Sequence, residues 1–324
     1  MKKLILTLLA ATSVGAGYAQ SNTLSLSQTG NGNNAPITQA GSGNAGSITT
    51  TGDNNQVYFM QNGRNNAGTL STTGNGNVIH LQAYGLESQA AITQLGDDNR
   101  ATVSSFVSNG SQVSFSQIGQ GNSASTESSW GGNNKMSISQ MGTNNQSSIR
   151  ASGYDGQLAV FNSYNNQVTI DQKGNNNVSN ANIQYSSDNQ VTITQTGDGN
   201  SARTNHTGGF NPGSGNDNRA IISQTGDANQ ALIDQSGNSN YATLTQSGSG
   251  NEARLSQTSS LNMATISQNG TYNVLTGLES ASTNASQNWG TGNSLTLTQT
   301  GDSNMLRFGQ FGNNNTATIT QTSY

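Results

Sequence analysis

The chain is predicted to be all-β, a two-sided β-solenoid of about 12.5 repeats of 22–23 residues each, with no disulfides. Three observations predict it. A short unit recurs: Gln28 and Gln39 lie eleven residues apart, as do Gly30 and Gly41, and Asn33 and Asn44. Apolar and polar residues alternate between the punctuating glycines, as in Val191-Thr-Ile193-Thr-Gln195, which is the period of a half-buried strand. The composition is 8% charged and 30% hydrophobic with 40 Gly, and the formal charge is only −4. Disorder normally comes with high net charge, so a periodic, amide-rich and weakly charged chain points instead to stacked strands held by backbone and side-chain amide ladders.

The chain begins Met1-Lys-Lys3, followed by the apolar run Leu4 to Ala11 and the small residues of Gly17-Tyr18-Ala19. This is the pattern of a secretory signal peptide over 1–19, cleaved before Gln20, which leaves 20–324 as one repeat domain. Removing Lys2 and Lys3 takes the eleven basic residues to nine, against fifteen acidic ones, a charge of −6. No second long apolar run is present, so no membrane span is expected. The absence of Cys excludes a disulfide framework. A mildly acidic chain without a basic stripe argues against nucleic acid as a partner.

Two classes of strand separate when the copies are aligned. The first class ends at Gln28, Thr50, Thr72, Gln94, Gln117, Gln140, Gln172, Gln195, Gln224, Gln246, Gln268, Gln299 and Gln321. Each but the last leads to a Gly two residues on, as at Gly30 and Gly96, and then to an Asn, as at Asn33 and Asn99. That turn never changes length. The second class carries Gln39, Gln61, Ala83, Ser105, Ser128, Ala151, His206, Gln235, Gln257, Glu279 and Gln310 at its Gln position, with the register near Ile183 open. Length variation is expected after these strands, around Tyr154–Asn166, Gly209–Asp217 and Leu278–Gly292. One edge of the solenoid is therefore constant, and the other accepts insertions.

In this reading Val191, Ile193 and Gln195 face inward and Thr192 and Thr194 outward. An inward Gln is costly to bury alone. It becomes acceptable when the same Gln recurs in the next rung, because the amides bond to one another along the axis. Thirteen rungs at ~4.8 Å make a rod of roughly 60 Å. Leu24, Leu26 and Gln28 at one end, and Ala317, Ile319 and Gln321 at the other, are regular copies without polar caps. Open edges of this kind are expected to add further copies of the chain, making self-assembly the function.

The unit Leu24-x-Leu26-x-Gln28-x-Gly30-x-x-Asn33-x-Ala35 resembles the curlin repeat, and the resemblance extends over essentially Gln20 to Tyr324. It implies a secreted subunit of curli, the amyloid fibres of bacterial biofilms, polymerising head to tail outside the cell for adhesion and matrix formation. It also implies a nucleator subunit, an outer-membrane secretion channel and a periplasmic chaperone as partners. The uncharged final copy, Asn315 to Tyr324, is more like a major subunit than the nucleator, which stays the alternative within the family.

Other chemistries are weakly supported. The outward Ser and Thr ladder, for example Thr296/Thr298 and Thr318/Thr320, admits a monomeric ice- or glycan-binding solenoid, but Asp171 and Ile221 interrupt it. His80 and His206 are the only histidines, lie on different strand faces and lack a paired nucleophile, so no enzyme activity, cofactor or metal is expected. Asp53, Asp97, Asp198, Asp227 and Asp302 suit the turns they occupy. Glu127, Arg150, Arg203, Asp234, Arg254 and Arg307 read as solvated charges on the second face.

Overall fold

The computed structural model describes residues 4–6, 21–156, 159–161, 163–208, 215–277, 285–287 and 290–323. Most of the expected leader therefore lies outside the described residues. Its Leu4–Leu6 segment forms a short strand antiparallel to Thr23–Thr29.

Alternation gives every strand one apolar face, and the turn residues reverse the chain every eleven positions. Stacking the strands in parallel then sets each residue over its equivalent. The first sheet holds thirteen such parallel strands, from Thr23–Thr29 to Thr316–Thr322, joined at its start by Leu4–Leu6. The second holds twelve in line, from Ile37–Ser42 to Met305–Arg307. Sequence-consecutive strands alternate between the two sheets, which makes a two-sided solenoid. Register does not slip: Gln117 pairs with Gln94 on one side and Gln140 on the other. The open register near Ile183 resolves the same way, with Ile183 between Ala151 and His206.

The first insertion follows the second-sheet strand Gln146–Ser152. It carries a small antiparallel hairpin of Tyr154–Gly156 with Ala159–Phe161. The third corrects the alignment. It opens inside a strand rather than after it: Val274–Thr276 begins the pairing with the Glu252–Gln257 strand and Ala285–Gln287 resumes it. The partner of Gln257 is therefore Gln287, and Glu279, expected there by counting from the turn, falls in the inserted residues outside those described. Counting assumed that an insertion respects strand ends.

The core is a single interdigitated layer between the sheets. Ile193, Ile222 and Leu244 from the first sheet and Ile233 and Leu255 from the second are fully buried. Volume is exchanged across it. A Cβ on Gly68 would lie 2.4 Å from the Phe59 ring, and one on Gly46 would lie 3.0 Å from it. The first sheet gives up two side chains where the second places an aromatic ring, which keeps the layer close-packed.

Candidate assembly site: amide ladders and open end faces

The invariant edge is built by glycine. Gly30 has φ +114°, and a Cβ there would lie 2.0 Å from the carbonyl oxygen of Gly52 in the next rung. Gly96 stands in the same relation to Gly119, at 2.1 Å. Only glycine allows the rungs to approach this closely with that backbone.

Asparagine locks the same turn. Asn99 donates its backbone N–H to Asn77 Oδ1 at 3.0 Å, its Nδ2 to the same oxygen at 3.1 Å, and its Nδ2 again to Gly119 O in the following rung at 2.9 Å. Asn33 begins this column, accepting from Asn55 N at 3.0 Å. The buried amide is thus supplied on both sides, as its burial requires. A second asparagine column climbs the other edge: Asn66 donates to Asn44 Oδ1 at 3.1 Å, and Asn262 N to Asn240 Oδ1 at 3.0 Å.

Glutamine runs through the core with the opposite polarity. Gln94 Nε2 donates to Gln117 Oε1 at 2.8 Å, and the same bond links Gln117 to Gln140, Gln140 to Gln172, Gln172 to Gln195, Gln195 to Gln224, Gln224 to Gln246, Gln246 to Gln268, Gln268 to Gln299 and Gln299 to Gln321, at 2.8–2.9 Å. The remaining amide hydrogen crosses the core, for instance from Gln246 to the backbone oxygen of Gln230 at 2.9 Å. The column breaks at Thr50 and Thr72. Gln28 Nε2, both threonine hydroxyls and Gln94 Oε1 are left buried without partners. In the second sheet Gln39 bonds Gln61 and Gln235 bonds Gln257, each at 2.8 Å, while Ala83, Ser105, Ser128, Ala151, Ile183 and His206 occupy the positions between.

His206 is fully buried with neither ring nitrogen bonded. Desolvation holds its pKa down at about 3. His80 faces outward and stacks on Tyr58, with ring centroids 4.5 Å apart. The two histidines do not meet. The outward charges pair in part: Arg150 with Glu127 at 3.4 Å and Arg254 with Glu252 at 2.7 Å.

The turn aspartates have a role that local turn chemistry did not reveal. Asp53 Oδ1 accepts the backbone N–H of Asn31 in the rung before it, at 2.7 Å, and Asp97 and Asp198 do the same for Asn75 and Asn175. Asn75 and Asn175 take that position in their own rungs, accepting from Asp53 N and Thr143 N. The readable signal was that Asp and Asn interchange at this position.

The rod's ends differ from its interior in one respect. Leu24, Leu26, Ala35 and Ile37 at one end, and Leu306, Ala317 and Ile319 at the other, pack against the core but are only partly buried. Their equivalents one rung inward, such as Ile48 and Leu297, are 1% exposed. Leu24, Leu26, Ala317 and Ile319 were singled out from sequence. Ala35, Ile37 and Leu306 were missed, because each end face is formed by a strand of both sheets.

Three segments, 215–248, 237–270 and 290–322, match the family model of the curlin associated repeat. Each contains three consecutive strands of the solenoid, two from the first sheet and one from the second. The chain matches no curated protein. The matched units carry the Gln, Gly and Asn columns described above, and the same columns run without change of register into the strands before them. Residues 215–270 and 290–322 of the chain are thus made of curlin associated repeats.

Proposed function

We propose that this protein is the structural subunit of a secreted curli-like fibre, adding head to tail to further copies of itself, and that it serves adhesion and biofilm matrix outside the cell. The observation that carries this reading is the pair of end faces. Both leave core residues only partly buried, the first edge being covered only by the short Leu4–Leu6 strand of the expected leader, and an edge that repeats its own template is satisfied best by another copy. Such contacts do not close into a ring and so produce a filament. Export would remove 1–19, and with it the Leu4–Leu6 strand lying against the first edge. The uncharged last strand, Thr316–Thr322, fits a major rather than a nucleating subunit. A nucleator, an outer-membrane channel and a periplasmic chaperone belong to this proposal through the family resemblance.

The chain beginning at Gln20 is expected to form SDS-resistant fibrils that seed their own growth, followed by thioflavin fluorescence, with a meridional reflection near ~4.8 Å. A soluble monomer that persists at high concentration even when seeded would overturn the proposal.

A further inference from the structure

The two end faces do not match if copies are stacked in the same orientation. The first sheet has thirteen parallel strands and the second twelve. Setting the next copy's Thr23–Thr29 on Thr316–Thr322 leaves the second sheet one strand short. The next copy's Ile37–Ser42 then stands two spacings, ~9.6 Å, above Met305–Arg307. No backbone hydrogen bond spans that distance, and Leu306 and Phe308 would face a void.

We propose, on the basis of the fibre reading above, that successive copies are turned by half a revolution about the rod axis, so that each sheet of one copy continues into the other sheet of the next. The next copy's Thr23–Thr29 then lies on Met305–Arg307 and the residues that follow it to Gln310, and its Ala35–Gln39 stretch lies on Thr316–Thr322. No strand position is left vacant.

The sequences of the end strands fit this arrangement. Asn315-x-Ala317-x-Ile319-Thr-Gln321 meets Asn33-x-Ala35-x-Ile37-Thr-Gln39, the same residue at every patterned position. Asn304-x-Leu306-x-Phe308-x-Gln310 meets Asn22-x-Leu24-x-Leu26-x-Gln28. Unrotated stacking would instead set Ala317 against Leu24.

Ladder polarity agrees. Wherever two glutamines stack in the rod, the Nε2 of the earlier rung donates to the later one, so Gln321 donates to the next copy's Gln39, whose own Nε2 already donates onward to Gln61. Asparagine runs the other way, each backbone N–H donating to the Oδ1 of the rung before. The next copy's Asn22 and Asn33 thus donate to Asn304 and Asn315, which themselves donate to Asn273 and Asn293.

Pro36 does not block the junction. Asn34 and Pro36 both direct their carbonyls at the second rung, where Val57 N and Phe59 N donate to them. In a parallel ladder a residue's N–H and C=O serve the same neighbour. The donor that Pro36 lacks would have faced Val57, inside the subunit, and the outer edge keeps the N–H groups of Ala35, Ile37 and Gln39.

Cysteine pairs test the orientation, because the chain has no cysteine of its own. The half-turn places Thr320 beside the next copy's Thr38, both outward-facing and one strand spacing apart, within disulfide reach. Unrotated stacking places Thr320 beside Ser27 instead, and the half-turn puts that pair on opposite faces of the rod. Fibres of the Thr320→Cys/Thr38→Cys variant, grown from Gln20 onward, oxidised and dissolved without reductant, should run mostly as a ladder of covalent multimers. Fibres of Thr320→Cys/Ser27→Cys should run as monomer. The reverse pattern, or monomer from both variants although both grow from seeds, overturns the half-turn while leaving the fibre in place. Failure of the unmodified chain to grow from seeds overturns the fibre, and the junction with it.

Discussion

The two sheets are made from one motif and hold it differently. In the first, Gln94 to Gln321 form one continuous amide column, and the turn that leaves each strand has one length and an obligatory glycine. In the second, the column survives as short runs, Gln39–Gln61 and Gln235–Gln257, separated by Ala83, Ser105, Ser128, Ala151, Ile183 and His206, and the chain on this side takes up the insertions. A ladder amide is stabilising only while its neighbours continue the ladder. One interruption orphans an atom on each side, as at Gln28 and Gln94 around Thr50 and Thr72, so a long unbroken run loses the least. The first sheet keeps such a run from Gln94 to Gln321, and the second sheet replaces the amides over several consecutive rungs.

The largest effect should come from giving the two edges the same insertion. Four Gly/Ser residues placed after Asp198 would carry Asn200 out of its bonds to Asn177 and Gly226 and separate turns that now stack at closest approach. The expected cost exceeds about 4 kcal/mol, in the range where folding itself is lost. The same insertion after Gly237, on the side where other rungs carry longer loops, should cost under about 1 kcal/mol, the scale of loop closure. Both are measured as the guanidinium midpoint for loss of β-sheet circular dichroism. Equal losses would mean that the edges are not mechanically different.

Side-chain replacement sharpens the contrast to opposite signs. Gln246→Leu leaves Gln268 Oε1 without its donor and removes the bond to Gln230 O, for a loss of about 3 kcal/mol. At the corresponding place in the second sheet, His206→Leu removes a buried ring with two unbonded nitrogens and should leave stability unchanged or raise it by about 1 kcal/mol. A fall of similar size in both would show that the column in the first sheet contributes nothing beyond volume.

Much of this was legible because the repeat is short and nearly uniform. Thirteen occurrences of one strand define its inward face, and the recurrence of Gln28, Gly30 and Asn33 announces that each must touch its own copy. What stayed hidden follows from contacts that no single repeat contains. The acceptor role of Asp53 joins a turn to the rung before it, which is invisible to turn propensities. The displacement of Glu279 by Gln287 depends on where an insertion leaves the sheet, and spacing alone places it at the strand end. The exchange of Phe59 for two side chains of the first sheet is a three-strand arrangement across the core. The end faces were half seen, because reading strands one at a time finds Leu24 and Ile319 but not the second-sheet residues that complete each face.

Acid should act on the second sheet through His206. His206 is held neutral by burial, with a pKa of about 3 against an ordinary value of 6.5. Between those values the unfolded chain binds a proton that the folded chain refuses, so stability is complete above pH 6.5 and falls as the pH drops toward 3. At pH 5 the expected loss is about 2 kcal/mol. His206→Gln should flatten the decline between pH 6.5 and 5 in denaturation midpoints, and an unchanged slope would place the acid sensitivity elsewhere.

The smallest expected effect tests whether the sheets share their volume. Gly68→Ala drives a methyl group into the Phe59 ring, an overpacking cost of about 2 kcal/mol. Phe59→Leu empties part of the same space, at about 1 kcal/mol. If the two sheets divide one volume between them, the double variant should cost less than the sum of the single ones by about 1 kcal/mol, since the new methyl occupies what the ring vacates. Strict additivity would mean that Gly68 is required by its own strand, and that the match with Phe59 is incidental.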